Sequence, residues 1–324
     1  MPESTIELEL RPATLDDVDL VADLEALREP DTPLDPVLIR HWWAMADAHQ
    51  KAMRRVAVRD GAALAFVAAV HELWDGDEKR YGTIRVRLRD DVWSDTTYGQ
   101  LVRIAEDWLR EEHAELSVVR IREDFARDLA AVESLGYREN RRMRISELDL
   151  VARREMILGT RDQCRRRMRD QGVRMLVLSD DPDPQKYQKL YSMVIESEKD
   201  IPTTVPWRTL SFEEWRSLWF DSPTTREDSF WIAREDDRIV GTSVLDIPVE
   251  RGIPFTAYTG TSRAVRGRGI ARALKYESLG QAVEAGYTRA RTSNDSDNPA
   301  ILRINEEMGY RPVAPVIELH RALD

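Results

Sequence analysis

The sequence predicts a duplicated α/β chain, two units in tandem, each built from strands and helices in the same order. Two observations predict it. The order of strand-like and helix-like segments occurs twice, and Leu135-Gly136-Tyr137-Arg138 returns as Met308-Gly309-Tyr310-Arg311, an offset of 173 (309 minus 136). A length of 324 residues, about twice that of an ordinary domain, accommodates both units.

In the first unit, Ile6, Leu8 and Leu10 alternate as a short strand that Arg11-Pro12 turns. Thr14, with Asp17 three residues on, starts a helix whose Val18, Val21, Ala22 and Leu24 fall at helical spacing. Residues 55–59 and 64–70 read as strands joined by the tight turn Asp60-Gly61. Residues 81–88 alternate Ile84, Val86 and Leu88 as a third strand. Leu101, Ile104, Ala105, Trp108 and Leu109 make 100–112 a helix. A strand over 116–121, a helix over 125–134 ended by Gly136, and a strand over 142–150 complete the unit.

The second unit repeats this order. Residues 173–178 are strand-like, and 185–197 and the tryptophan-rich 207–219 are helical. Residues 230–234 and 238–247 form a hairpin around Asp236-Asp237, and 255–261 form the next strand. A helix over 270–285, a strand over 288–292, a helix over 299–307 capped by Gly309 and a strand over 316–321 finish the chain. The arginine-rich stretch 160–171 is expected to be a connecting helix. The expected domains are therefore 1–150, a linker over 151–171, and 172–324.

Composition narrows the function. A formal net charge of -11 disfavours nucleic acid as a partner, because an acidic surface repels phosphate backbones. Cys164 is the one cysteine, which rules out an intrachain disulfide and a cysteine zinc cluster, and the five histidines lack ligand spacing, so no metal is expected. No apolar run approaches the roughly 18–20 residues that span a bilayer. Residues 1–9 are acidic and lack the pattern of a secretory signal, so the expected location is cytoplasmic.

The sharpest chemical feature is Arg266-Gly267-Arg268-Gly269-Ile270-Ala271, which follows a strand and opens a long helix. Gly267 and Gly269 allow close backbone approach and positive φ. The first helical turn offers unpaired N–H groups at the positive end of the helix dipole, a cradle for pyrophosphate. Arg266 or Arg268 would add charge. No Gly-Lys-Ser/Thr follows, so this is not a P-loop, and the third glycine of a Rossmann fingerprint is missing.

Arg266-x-x-Gly269-x-Ala271 after a strand resembles the Arg/Gln-x-x-Gly-x-Gly/Ala signature of the GCN5-related N-acetyltransferases (GNAT). Asn298-x-x-Ile301 and Gly309-Tyr310 resemble the asparagine-containing turn, helix and Gly-Phe/Tyr ending of that family. The resemblance covers about 173–324, while the first half shares only the layout. It implies two tandem GNAT-like domains, each a mixed, largely antiparallel, splayed sheet flanked by helices. It also implies acetyl-CoA as co-substrate, lying between the strands at 255–261 and 288–293. Its arm would pair with backbone around Thr259 and Thr261, with Asn294 and Asn298 alongside. Asn298 equally suits a helix N-cap.

Acyl transfer to an amine needs a general base, a backbone N–H that polarises the thioester carbonyl, and a proton for the departing thiolate. By family analogy the polarising amide lies at the Thr261-Ser262 end of the strand. Many relatives carry a tyrosine acid where this chain has Asn305, which is no acid near neutral pH. Candidates for the base are Glu196, Glu198, Asp200 and Asp246; the acids at 198 and 200 also read as solvated helix-end charges. Trp207, Trp215, Trp219 and Trp231 fit either an acceptor pocket or plain core.

Shifting the loop back by 173 lands on Trp93, Ser94, Asp95, Thr96 and Tyr98, with Asp90 and Asp91 beside them. None is glycine and the acids would repel pyrophosphate, so the first half is expected not to bind CoA. The expected activity is N-acyl transfer from acetyl-CoA to a small-molecule amine in a ternary complex. A catalytically weak acyl-CoA sensor is the first alternative. The second is a scaffold using Trp42, Trp43, Arg85 and Arg87. The tandem arrangement favours a monomer or weak homodimer.

Overall fold

The computed structural model describes residues 8–72, 79–201, 209–295 and 298–324, with the backbone alone at 46–49 and 295. The expected Ile6 strand start, Trp207 and residues 296–297 lie outside the described residues.

The first half runs β1 (Arg11–Pro12), α1 (Val18–Arg28), α2 (Pro36–His49), β2 (Gln50–Arg59), β3 (Ala62–Glu72), β4 (Tyr81–Leu88), α3 (Asp95–Glu111), β5 (Leu116–Arg122), α4 (Ala126–Ser134) and β6 (Arg138–Asp149). A connecting helix, α5 (Arg154–Asp170), follows. The second half runs β7 (Val173–Val177), α6 (Lys186–Glu198), α7 (Phe212–Phe220), β8 (Phe230–Glu235), β9 (Arg238–Asp246), β10 (Phe255–Thr261), α8 (Ile270–Glu284), β11 (Arg289–Asp295), α9 (Pro299–Met308), β12 (Arg311–Pro312) and β13 (Val316–Ala322). Apart from α5 and the two-residue β12, the halves match element for element. Helix α2 was not foreseen. Its apolar residues surround the helix rather than forming one stripe, and Trp43 stacks on Phe66 at 5.5 Å between centroids.

All the strands join one sheet, in the order β1-β2-β3-β4-β5-β13-β6-β11-β10-β9-β8-β7, with β12 beside β6. The halves exchange their final strands. β6 of the first half pairs antiparallel with β11 of the second, β13 pairs antiparallel with β5, and the two exchanged strands pair with each other. Each half thus covers the open edge of the other's parallel pair. Helix α5 packs along α8, burying Ile157, Cys164 and Met168 in the same core as Leu279 and Val283. Its arginines are tied down there, Arg165 to Glu277 and Arg161 to Glu284, both at 2.6 Å.

Side chains alternate across the second-half sheet, so its faces differ. Helix α8 covers one face, where Leu274 meets Gly241 and the Ser278 hydroxyl meets Ser243. Helices α6 and α7 cover the other with Leu190, Val194 and the fully buried Trp215 against Phe230, Ile232 and Val244. A buried apolar side chain of this size contributes about 1.5–3 kcal/mol. Trp215 is core, as its helical spacing allowed.

Candidate functional site

Parallel strands β10 and β11 pair at only two positions, Phe255 with Arg291 and Thr256 with Thr292, and then part. The register of β10 on β9 shifts between Thr256 and Tyr258, a bulge that bends the strand away from its parallel neighbour. Beyond it, the Ser262 N–H donates to the Val240 carbonyl at 3.0 Å. Antiparallel alternation then turns the backbone groups of Tyr258 and Gly260 toward β9, and those of Thr259 and Thr261 into the split. The two threonines named from sequence therefore present their backbone where an added strand would pair. Of the Thr261-Ser262 amides, that of Ser262 is already engaged; that of Thr261 faces the split.

The split opens onto the glycine loop. Gly267 and Gly269 have φ of 78° and 86°, the left-handed conformation that L side chains avoid. Gly269 caps α8, and the first N–H to find an intrahelical acceptor is that of Ala273, on the Gly269 carbonyl. The amides of Ile270 and Ala271 thus belong to the unpaired first turn. The loop arginines are not free charges, contrary to expectation. Arg266 pairs with Asp200 at 2.7 Å, and Arg268 with Glu235 at 2.8 Å and Gln171. Asp200 also clamps Arg263, and these two arginines hold its carboxyl well below the usual range. Glu196 accepts from the Arg263 N–H at 2.9 Å. Both acids fasten the loop to the end of α6, and Asp200, held so firmly anionic, is a poor base. Arg167 of α5, unforeseen from sequence, would lie 3.6 Å from a Cβ placed on Gly269. It lines a cavity of about 140 Å³ with Gln163, Cys164 and Arg272. A larger cavity of about 460 Å³ follows the outer edge of β7, three strands from the split.

The face under α6 and α7 carries two desolvated carboxylates. The carboxylate of Glu198, at the end of α6, makes no hydrogen bond among the described residues, and burial raises its pKa. Asp246 sits opposite Phe255; burial raises its pKa, offset in part by the Thr225 hydroxyl at 2.9 Å. Between them stands Tyr258, bonded through its hydroxyl to Ser197 at 2.5 Å and edge-on to Trp219. Burial raises the Tyr258 pKa, the Ser197 bond lowers it, and the Glu198 charge raises it again. A Cβ on Gly260 would stand 2.6 Å from the Tyr258 hydroxyl, so glycine there is what lets the ring fold back. The first half touches the loop between β9 and β10, where buried Asp35 accepts from the Glu250 N–H at 3.1 Å.

The face under α8 and α9 is polar in another way. Asn305 is buried and its Nδ2 donates to Asn294 Oδ1 at 2.7 Å, bridging α9 to β11. Asn298 is the N-cap of α9, accepting from the Ile301 N–H at 3.4 Å. Among the described residues, buried atoms here without a hydrogen-bond partner include Thr256 Oγ1, Lys275 Nζ, Asn305 Oδ1 and Tyr310 Oη. Sequence patterns do not announce Lys275, which sits on a helix buried on nearly every side.

The corresponding turn of the first half is closed. Ser94 caps α3 with its own hydroxyl, accepting from the Thr97 N–H at 3.1 Å. Trp93 donates from Nε1 to Asp128 at 3.0 Å. Strands β4 and β5 pair over four positions, Tyr81 to Ile84 with Leu116 to Val119. Arg85 and Arg87 meet buried Glu25 at 2.6 Å each, so they form no free basic surface.

Residues 187–310 match the model of the acetyltransferase (GNAT) family. A GCN5-related N-acetyltransferase from Sphaerobacter thermophilus is 20% identical, with a TM-score of 0.70 over 98% of this chain and 96% of that one. A tandem GNAT protein from the clavulanic acid biosynthesis pathway is 15% identical, with a TM-score of 0.74 over 98% and 99%. A GCN5-related glucosamine N-acetyltransferase region of a fungal multi-domain β-N-acetylglucosaminidase is 16% identical, with a TM-score of 0.68 over 97% and 38%. A search of curated proteins gives no match. At these identities the structures establish the fold.

Proposed function

We propose that this chain, whose second half carries a GNAT acetyltransferase domain within a tandem GNAT fold, is an N-acyltransferase that moves an acetyl group from acetyl-CoA to a small-molecule amine. One observation carries the reading. The unpaired backbone of Thr259 and Thr261 leads directly into a positive-φ loop at the start of α8. That run of amides suits an extended arm ending in a pyrophosphate.

The residues present fit such a group. The amides of Gly267 to Ala271 would hold the pyrophosphate, with Arg167 within reach. Thr259 and Thr261 would pair the arm as an added strand does, and the Thr261 amide is available to polarise a carbonyl. Bound acetyl-CoA supplies the activated thioester. Glu198 takes the proton from the attacking nitrogen, because a desolvated carboxylate with a raised pKa is a stronger base than one in water. Asp246 binds the cationic form of the acceptor, and Asp200 keeps the loop in place. We place the first half as a silent partner that completes the acceptor cleft through Asp35, with the units divided near 150–172.

Calorimetric titration with acetyl-CoA tests this. One site per chain with micromolar affinity supports the reading, and no binding overturns it. Against a panel of amines, Glu198→Gln is expected to lose about 10²–10³-fold in kcat with acetyl-CoA affinity unchanged. Since the base works deprotonated, the wild-type rate should rise with pH through the raised pKa of Glu198. A chain that binds acetyl-CoA and acylates no amine would instead be a sensor.

A further inference from the structure

Lys275 is 1% exposed, and among the described residues its Nζ makes no hydrogen bond. It stands 5.3 Å from the centroid of the Tyr310 ring. The Tyr310 hydroxyl, equally buried, lies against the Thr256 hydroxyl without a bond of ordinary geometry between them. Thr256 is the last residue of β10 to pair with β11, so this chain of contacts ends where the strands part. On the other lip of the split, Asn294 and Asn305 hold each other, and Asn305 Oδ1 is left unpaired. The unpartnered atoms therefore frame the split on the face opposite Glu198 and Tyr258. An apolar side chain of similar length would fill the place of Lys275 without leaving a buried amine unsatisfied. The first half shows the same tyrosine with every need met: Tyr137 bonds Ser117 at 2.6 Å and Glu106 at 2.9 Å.

We propose that Lys275 is the acid that protonates the departing sulfur, in place of the tyrosine that the family pattern has at the Asn305 position. This rests on the acyltransferase reading of the same split. The acceptor nitrogen forms its bond to the acyl carbon from the Glu198 face and gives its proton to that carboxylate. The carbon–sulfur bond breaks with its electron pair on sulfur, and the Lys275 ammonium, on the opposite face, supplies the proton. Amide and thiol leave; Glu198 returns its proton to water and Lys275 regains one, so the cycle balances.

Titration suits the task. Burial lowers the pKa of Lys275 to about 7, and no charged side chain among the described residues contributes to the shift. Of the groups against it, Tyr310 titrates far above, pushed up to about 12 by burial, while Thr256 and Asn305 are neutral. Arg272, one turn earlier on α8, is engaged with Glu307 and stacks on Tyr276. An acid must act protonated, so kcat should fall as pH rises through Lys275.

The test uses Lys275→Met, which keeps the packing, and Lys275→Arg, which keeps the charge. With Lys275→Met, kcat is expected to drop about 10²-fold and its alkaline limb to vanish, while acetyl-CoA affinity stays within about twofold. A second readout needs no turnover. Ultraviolet thiolate absorbance should show the thiol of bound CoA ionising at lower pH in the wild type and in Lys275→Arg than in Lys275→Met. Equal kcat and equal thiol ionisation in Lys275→Met would overturn the role of Lys275. Failure of the wild type to bind CoA would overturn the underlying reading instead.

Discussion

The two halves place a tyrosine after the same glycine cap, Gly136 with φ 98° and Gly309 with φ 92°, and treat it in opposite ways. Tyr137 is closed in by Ser117 and Glu106, and Arg321 of the exchanged strand β13 completes the network at 2.8 Å from Glu106. Tyr310 packs in the core beneath Lys275, and among the described residues its hydroxyl, against Thr256, makes no hydrogen bond of ordinary geometry. The contrast recurs around it. The first half zips β4 to β5 over four positions and fills its α1 face with the Arg85–Glu25–Arg87 triad, whereas the second pairs over two positions and leaves glycine at 260. The tyrosine after the glycine cap is thus satisfied internally in the first half and, among the described residues, left without a bonded hydroxyl beside the split in the second.

The sharpest way to break this comparison is at the loop. Gly269→Glu brings a side chain into a φ of 86° and a negative charge to the start of α8. Acetyl-CoA affinity should fall at least about 10³-fold, beyond calorimetric detection, because the carboxylate repels the phosphates and occupies their place. Left-handed strain of about 1–2 kcal/mol leaves the fold intact. A Gly269→Glu chain that still binds acetyl-CoA would mean the pyrophosphate lies elsewhere, and two sites in the wild type would mean the first half is not silent.

A second prediction concerns the filled half. Glu25 is buried; burial pushes its carboxyl up, but Arg85 and Arg87 outweigh this and hold it at about 2. Glu25→Ala leaves the guanidinium of Arg87, 12% exposed, without that partner. Stability in urea should fall by about 3 kcal/mol, the lower end for a broken buried pair because Arg85 is 39% exposed. Acetyl-CoA affinity should be unchanged. A shift in affinity would show that this triad communicates with the split.

Much of this contrast was legible in the sequence, and the rest had physical reasons to be hidden. The loop could be read because Gly267 and Gly269 occupy positive φ, which glycine advertises. The exchange of β6 and β13 could not, since alternation reveals a strand's faces and says nothing of which half it pairs with. Asp200 resembled a base because sequence shows the acid but not Arg263 and Arg266, which lie more than sixty residues on. Lys275 was invisible within α8 because a lysine on a helix ordinarily keeps its ammonium in water, and the sequence shows nothing that would bury it. Burial became apparent only when α9 and Tyr310 closed over it.

The finest distinction is a pair of single-atom deletions. Tyr137→Phe removes a hydroxyl that satisfies Ser117 and Glu106, and should cost about 1–2 kcal/mol, since Glu106 keeps Arg321 but both partners lose a buried bond. Tyr310→Phe removes a hydroxyl with no bond to lose, so its cost should stay within about 0.5 kcal/mol, and relief of an unsatisfied group could make it slightly stabilising. Chemical denaturation of the two variants side by side measures the difference directly. Equal costs would mean that Tyr310 is as fully partnered as Tyr137, and the polar opening beneath the split would then be no different from an ordinary core.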